Sequence, residues 1–356
     1  MSDRAFWHGR RVFVTGHTGF KGSWLSLWLG SLGARVSGYA LAPATTPALY
    51  DVAHVGDGIT STIADIRDEP ALAAAMRAAD PEVVFHLAAQ PLVRASYREP
   101  IATFGTNVMG TAHLLEAART LPSLRAIVVV TTDKVYENRE WERGYVETDT
   151  LGGHDPYSAS KAAAELVVAS YRQSFFSAPL DSRTVGVATA RAGNVIGGGD
   201  WAEDRLVPDV VRSLTARQEV RVRRPNAVRP WQHVIEPLSG YLQLAERLVA
   251  EPAEFAEGWN FGPEHADARS VSWIVDHVTR QWGEGITWGV EPGRHPHETT
   301  FLSLDITKAR ARLDWCPRLD LATALDWTVH WYREHARGAD MRAVTLDQLH
   351  AYASRP

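Results

Sequence analysis

Tyr157 and Lys161 stand four residues apart in the run Pro156-Tyr157-Ser158-Ala159-Ser160-Lys161. On a helix that spacing turns both side chains to one face. An ammonium beside a phenol lowers the phenol's pKa from its usual value near ~10. The pair therefore suits removal of a proton from an alcohol while hydride leaves the same carbon for a nicotinamide. Upstream, Thr15-Gly16-His17-Thr18-Gly19-Phe20-Lys21-Gly22 follows a β-rich run and opens a helical one. Glycines at 16, 19 and 22 let the backbone turn tightly and approach a pyrophosphate, which then sits on the helix N-terminus. Between the two motifs lies Thr131-Thr132-Asp133-Lys134, at a strand end.

Those residues need a sheet whose strand ends converge. Arg11 to Thr15, Arg35 to Leu41, Glu82 to Leu87, Arg125 to Val130 and Val185 to Ala190 read as strands. Between them Ser23 to Leu32, Glu69 to Ala79, Thr106 to Thr120 and Tyr157 to about Phe176 read as helices. Strands alternating with helices at this spacing imply right-handed crossovers, and continuous apolar strands fit burial on both faces. The fold expected is α/β, a doubly wound parallel (Rossmann) sheet with a smaller, discontinuous C-terminal substrate domain. Residues 1–196 plus 233–262 form the cofactor part in this reading, and 197–232 plus 263–356 the substrate part.

The end of the second strand, Gly38-Tyr39-Ala40-Leu41-Ala42-Pro43, offers no acid for an adenosine ribose. It offers no arginine for a 2′-phosphate either, since Arg35 lies at the strand's other end; NAD is favoured over NADP, with modest affinity for free cofactor. Asp65 sits either near the adenine or as a helix cap. Ala88 and Ala89, in His86-Leu87-Ala88-Ala89-Gln90, leave room for a flat cofactor, or simply pack. The cofactor set is Gly16, Thr18, Gly19, Phe20, Gly22, Asp65, Ile66, Leu87, Ala88, Ala89 and Thr106, with Tyr157 and Lys161.

The chain resembles the extended short-chain dehydrogenase/reductases, in the branch of nucleotide-sugar dehydratases, and within it the CDP-glucose 4,6-dehydratases. The stretches that carry this are Val14 to Trp24, Ala88 to Arg94, Thr132-Asp133-Lys134-Val135-Tyr136-Glu137-Asn138, Ala190 to Trp201 with its Gly197-Gly198-Gly199-Asp200-Trp201, Val228 to Val234, and Asp340-Met341-Arg342. The resemblance spans nearly the whole chain. It implies oxidation at C4 of a hexose, loss of water across C5–C6 and return of hydride to C6, with NAD regenerated. It implies Thr132 at the C4 hydroxyl and Asp133 as general acid on the C6 hydroxyl, which asks for a carboxyl pKa raised by partial burial. Lys134 stands where related dehydratases carry a glutamate base. It takes the C5 proton if desolvation or nearby cations depress its pKa; otherwise it is an electrostatic partner of Asp133. Substrate contacts fall to Gln90, Arg94, Asn194, Arg205, Arg229 and His297. Trp201 and Trp231 either flank the base or pack in the core. His295 and His297 have no third ligand in register for zinc, so no metal is expected.

At 356 residues, 45% hydrophobic and 22% charged, the chain has the make-up of a globular enzyme. A formal net charge of -5 argues against nucleic acid as partner. Cys316 is the single cysteine, so no intrachain disulfide forms and a cytoplasmic address is expected. Met1 to His8 lacks the apolar core of a signal peptide, and no apolar run approaches the roughly 18 residues of a membrane helix. A homodimer or homotetramer is expected through helices Thr106 to Thr120 and Tyr157 to Phe176. Two rivals remain. A 4-epimerase needs Tyr157 and Lys161 but no acid at 133, and a non-catalytic NAD-binding protein of this fold would be free to lose Tyr157, Lys161 or Thr132, none of which is lost.

Overall fold

A computed structural model describes residues 3–177, 184–291 and 302–355. Along the chain the strands are β1 (Arg11–Thr15), β2 (Arg35–Ala40), β3 (Thr60–Ile63), β4 (Val83–His86), β5 (Ala126–Val130), β6 (Gly186–Ala192), β7 (Asn194–Ile196), β8 (Val220–Val222), β9 (Val228–His233), β10 (Gly258–Phe261), β11 (Ala268–Ser270) and β12 (Trp288–Val290). β1 to β6 and β10 form one sheet in the order β10-β6-β5-β4-β1-β2-β3, and every neighbouring pair in it is parallel. The strand order reverses between β1 and β4, which is where such sheets bind ligands at their carboxyl ends. The doubly wound parallel sheet expected from the sequence is the sheet observed. β7, β9 and β11 make a second sheet, and β8 pairs with β12.

Strand side chains alternate between two cores, as the two-residue period requires. Val12, Val14, Val83, Phe85, Val128 and Ala188 face one layer, with Trp24 and Leu25 of helix Phe20–Ser31 and Leu238 and Leu242 of helix Ile235–Ala250. Phe13, Val84, Ile127, Val129 and Val187 face the other, against Leu72 and Met76 of helix Glu69–Ala79, Leu114 of helix Gly110–Ala118 and Val168 of helix Pro156–Tyr171. The helix expected at Thr106 to Thr120 runs as Pro100–Phe104, a π turn at Gly105–Met109, then Gly110–Ala118. The last helix, Met341–Ala353, returns to the sheet's first layer, where Tyr352 meets Trp28 edge-on. Among the described residues no helix is long and apolar enough to cross a membrane.

One buried ion pair ties the Tyr157 helix to the sheet. Glu165 follows Lys161 by one turn and pairs with Arg191 of β6 at 2.8 Å, the two side chains only 4% and 6% exposed. Thr131 and Thr189 each donate a hydroxyl to Glu165 at 2.6 Å. Arg191 also reaches the Tyr136 hydroxyl at 2.8 Å. Burial alone would raise the Glu165 pKa, but Arg191 and the two hydroxyls override it and hold the carboxyl below its ordinary value of 4.5. A depressed folded pKa contributes stability at pH above about 4.5, lost as the pH falls through the folded value.

Arg191→Met strands Glu165 without a cation, so urea unfolding will show a loss of about 3–5 kcal/mol at neutral pH, shrinking as the pH drops below about 4.5. A loss under about 1 kcal/mol would contradict this role.

Candidate active site

The carboxyl ends of β1 to β6 open on a cleft of ≈ 1420 Å³. Single small-molecule sites usually occupy about 300–1,000 Å³, so this one has room for two ligands side by side. Every residue of the expected cofactor set lines it: Gly16, Thr18, Gly19, Phe20, Gly22, Asp65, Ile66, Leu87, Ala88, Ala89, Thr106, Tyr157 and Lys161.

The glycine turn is built for close approach. Gly16 has φ +77°, and a Cβ there would lie 2.7 Å from the Ala88 amide nitrogen. A Cβ at Gly22 would run into the Gly16 carbonyl. Gly19 precedes helix Phe20–Ser31 and no side chain caps it, so the first amides are left for a ligand. These features fit a dinucleotide pyrophosphate. After β2, where an acid is absent, Thr18 donates its hydroxyl to the Leu41 carbonyl at 2.8 Å. The buried His17 ring packs so closely on Gly38 that no side chain fits there, and its Nε2 meets the Ser61 hydroxyl at 2.7 Å. Burial pushes the His17 pKa down to about 4, so the ring is neutral at pH 7. Asp65 is no helix cap: Asp68 caps Glu69–Ala79, while the Asp65 carboxylate is gripped by Arg67 at 2.6 Å.

Tyr157 enters on the first turn of its helix. Asp155 caps that helix by accepting from the Ser158 amide at 3.0 Å, and Pro156 supplies the preset first φ. Thr132, Asp133 and Lys134 follow β5. Asp133 forms a buried knot with its neighbours: the Thr132 hydroxyl donates to Oδ1 at 2.9 Å and the Lys134 ammonium approaches the same oxygen at 3.4 Å. Its side chain is 2% exposed, against 36% for Lys134. Only a glycine fits at 193, because a Cβ would sit 2.8 Å from Asp133 Oδ2.

Two electrostatic expectations change. Asp133 is the leading influence on Lys134 and raises its pKa, more than burial and Arg229 lower it. The neutral amine a C5 base requires is therefore disfavoured at this residue. For Tyr157 the chief influence is burial, which leaves the phenol above its ordinary value; the opposing forces are Lys134, the Thr132 hydroxyl and Arg205, rather than Lys161. Lys161 donates instead to the Val130 carbonyl at 2.8 Å. Burial lowers its pKa to about 8, with Glu165 opposing.

On the opposite wall Arg94, Asn194, Arg205 and Arg229 line the cleft. Arg94 pairs with Asp204 at 2.9 Å, a carboxylate shared with Arg223, and Arg205 with Asp200 at 2.7 Å. Gln90 does not join them. Its amide is consumed within its own loop, donating to the Leu92 carbonyl and the Thr103 hydroxyl and accepting from the Leu92 amide at 2.6 Å. Trp201 packs against Trp331, Tyr332 and His335, away from the cleft, whereas Trp231 lines it. His295 and His297 lie outside the described residues. Sequence reasoning used the glycines, Thr18 and Phe20 of the turn and passed over Lys21, which also lines the cleft. The available signal was a cation in a helix's first turn, where the dipole disfavours it.

Comparison with known proteins shows the family. The family model described as GDP-mannose 4,6 dehydratase matches residues 13–328. A CDP-glucose 4,6-dehydratase of Salmonella typhimurium is 51% identical over 355 residues, 99% of each chain. A dTDP-glucose 4,6-dehydratase of Streptomyces antibioticus is 30% identical, covering 91% of this chain and 92% of the relative. Among solved structures, a dTDP-glucose 4,6-dehydratase of Streptomyces venezuelae superposes with a TM-score of 0.77 at 24% identity, covering 93% of this chain and 99% of that one. A UDP-glucose 4-epimerase of Thermotoga maritima gives a TM-score of 0.78 at 22% identity, with 91% and 99% covered. The chain therefore belongs to the GDP-mannose 4,6-dehydratase family.

Proposed function

We propose that the chain is a CDP-glucose 4,6-dehydratase, converting CDP-D-glucose to CDP-4-keto-6-deoxy-D-glucose with loss of water. The observation that carries this reading is a buried acid, Asp133, sharing a cleft with Tyr157 and Lys161. A 4-epimerase needs no such acid. The base, cytosine, follows the relative that is 51% identical along its whole length.

Gly16, Gly19 and Gly22 would cradle NAD, which would supply the acceptor for the C4 hydride and its donor to C6. The protein's own groups handle protons and charge. Tyr157 takes the proton of the C4 hydroxyl. Thr132 bonds to Tyr157 and donates to Asp133 at 2.9 Å, so its hydroxyl can relay that proton to the Asp133 carboxyl. Asp133 then delivers it to the departing C6 oxygen. Lys134, held charged, offsets the negative charge left on Asp133, in place of the C5-base role expected for it. Arg205, Arg229 and Asn194 meet the substrate pyrophosphate. Arg94 joins them once phosphate replaces the Asp204 carboxylate.

The division into 1–196 plus 233–262 and 197–232 plus 263–356 goes with this reading, supported by β10 joining the large sheet, except that the last helix, Met341–Ala353, packs on the cofactor part beside Trp28. So does a homodimer or homotetramer. Ile101, Phe104 and Met109, on the helical run 100–109, and Leu166, on the Tyr157 helix itself, are exposed apolar side chains. A cytoplasmic address rests on a chain whose single cysteine forms no internal disulfide.

Incubated with NAD and CDP-, dTDP-, UDP- or GDP-hexoses, the protein will yield the alkali-induced absorbance of a 4-keto sugar from CDP-glucose. Preference for another donor would overturn the base, and no product from any donor would overturn the dehydratase. Tyr157→Phe will lower kcat about 10²–10⁴-fold with little change in CDP-glucose binding by calorimetry; full turnover would refute the assignment. Ile101→Asp combined with Leu166→Asp will reduce the molar mass measured by light scattering to a smaller assembly, and an unchanged mass would reject this interface.

A further inference from the structure

Dehydration also requires an acceptor for the C5 proton, and the neighbouring bases are committed. Lys134 is tied to Asp133, Lys161 donates to the Val130 carbonyl, and Glu165 is sealed behind Arg191. Lys21 is not so committed. It is the second residue of helix Phe20–Ser31, where a cation opposes the helix dipole, a placement with no benefit to the helix itself. Its side chain lines the cleft. The charged groups acting on it are Arg205, Asp133, Lys161 and Lys134, from three separate segments around the reaction centre, and none acts through a hydrogen bond.

We propose that Lys21 is the base that removes the C5 proton, working beside Asp133 as the acid at C6. This rests on the dehydratase reading. The Lys21 nitrogen lone pair forms the new N–H bond, and the C5–H electron pair becomes a C4–C5 π bond as the C4 carbonyl turns to enolate. When the carbonyl re-forms, the electrons move to C5–C6 and the C6–O bond breaks. The departing oxygen takes the Asp133 proton and leaves as water. After hydride returns to C6, the Lys21 ammonium gives its proton back to C5, and the amine is restored. Burial first, with Arg205, Lys161 and Lys134 adding to it and Asp133 opposing, brings the Lys21 pKa down to about 7, so the free amine is well populated at neutral pH.

The test is a single turnover in D₂O, with reduced cofactor followed by near-ultraviolet absorbance and C5 deuterium by mass spectrometry after quenching. Lys21→Met will build reduced cofactor as the wild type does, while C5 exchange falls about 10²–10⁴-fold. Lys134→Met will retain C5 exchange even though its turnover falls. Wild-type exchange will rise with pH through about 7 and then level. Wild-type exchange in Lys21→Met, or its loss in Lys134→Met alone, overturns the proposal. Should Lys21→Met lose C4 oxidation or fail to fold, Lys21→Arg supplies the decision. Exchange lost with C4 oxidation intact supports the proposal; exchange kept, or both steps lost, overturns it. A wild type that forms neither reduced cofactor nor keto sugar refutes the dehydratase reading itself.

Discussion

The cleft is organised around one carboxylate taken out of water. Asp133 is 1% exposed, and burying such a group is costly unless hydrogen bonds and a counter-charge offset it. Thr132 provides the bond, Lys134 the charge, and Gly193 the space. The remaining electrostatics follow from that arrangement. Asp133 keeps Lys134 protonated, opposes ionisation of Tyr157, and partly counters the burial that drives Lys21 toward neutrality. In this setting a lysine bonded to the acid and a lysine merely near it have opposite proton affinities. That difference separates a charge-holding role from a proton-accepting one.

The sheet is what brings these groups together. β5 delivers Thr132 to Lys134 from its carboxyl end, β1 delivers the glycine turn, and the segment after β6 delivers Gly193 and Asn194. The Tyr157 helix approaches from the second core layer, and Glu165 with Arg191 pins it one turn beyond Lys161. A strand end and a helix start are thereby held in register by a buried pair that touches neither ligand. Conversely, on the second wall Arg205 and Arg94, the latter on helix Val93–Arg98, are held by ion pairs with Asp200 and Asp204.

Much of this was readable from the sequence where the signal is local. Three glycines at fixed spacing, a four-residue Tyr–Lys interval and strands of continuous apolar residues each state their geometry in a few positions. The parallel sheet came from that kind of information, and the three glycines, Tyr157 and Lys161 line one cleft. What sequence did not convey depends on which partners each side chain meets once the chain is folded. Gln90 looked like a ligand until its amide was found bonded to Leu92 and Thr103. Trp201 was ambiguous because its neighbours, Trp331 and Tyr332, lie 130 residues or so away. The direction of the Lys134 pKa turned on whether Asp133 or the surrounding cations prevailed, a contest of distances. Lys21 was overlooked inside a motif that was read for the cofactor alone.

The dependence of water loss on the buried acid is the claim most worth measuring. Asp133→Asn preserves the shape of the Thr132–Lys134 knot but cannot pass a proton to the C6 oxygen. In a single turnover with NAD and CDP-glucose, this variant should slow release of the 6-deoxy product about 10²–10⁴-fold, and C4 oxidation with it, because the relayed C4 proton finds no carboxylate at 133. Product formed at the wild-type rate would show that another group protonates the leaving hydroxyl, and would contradict the account.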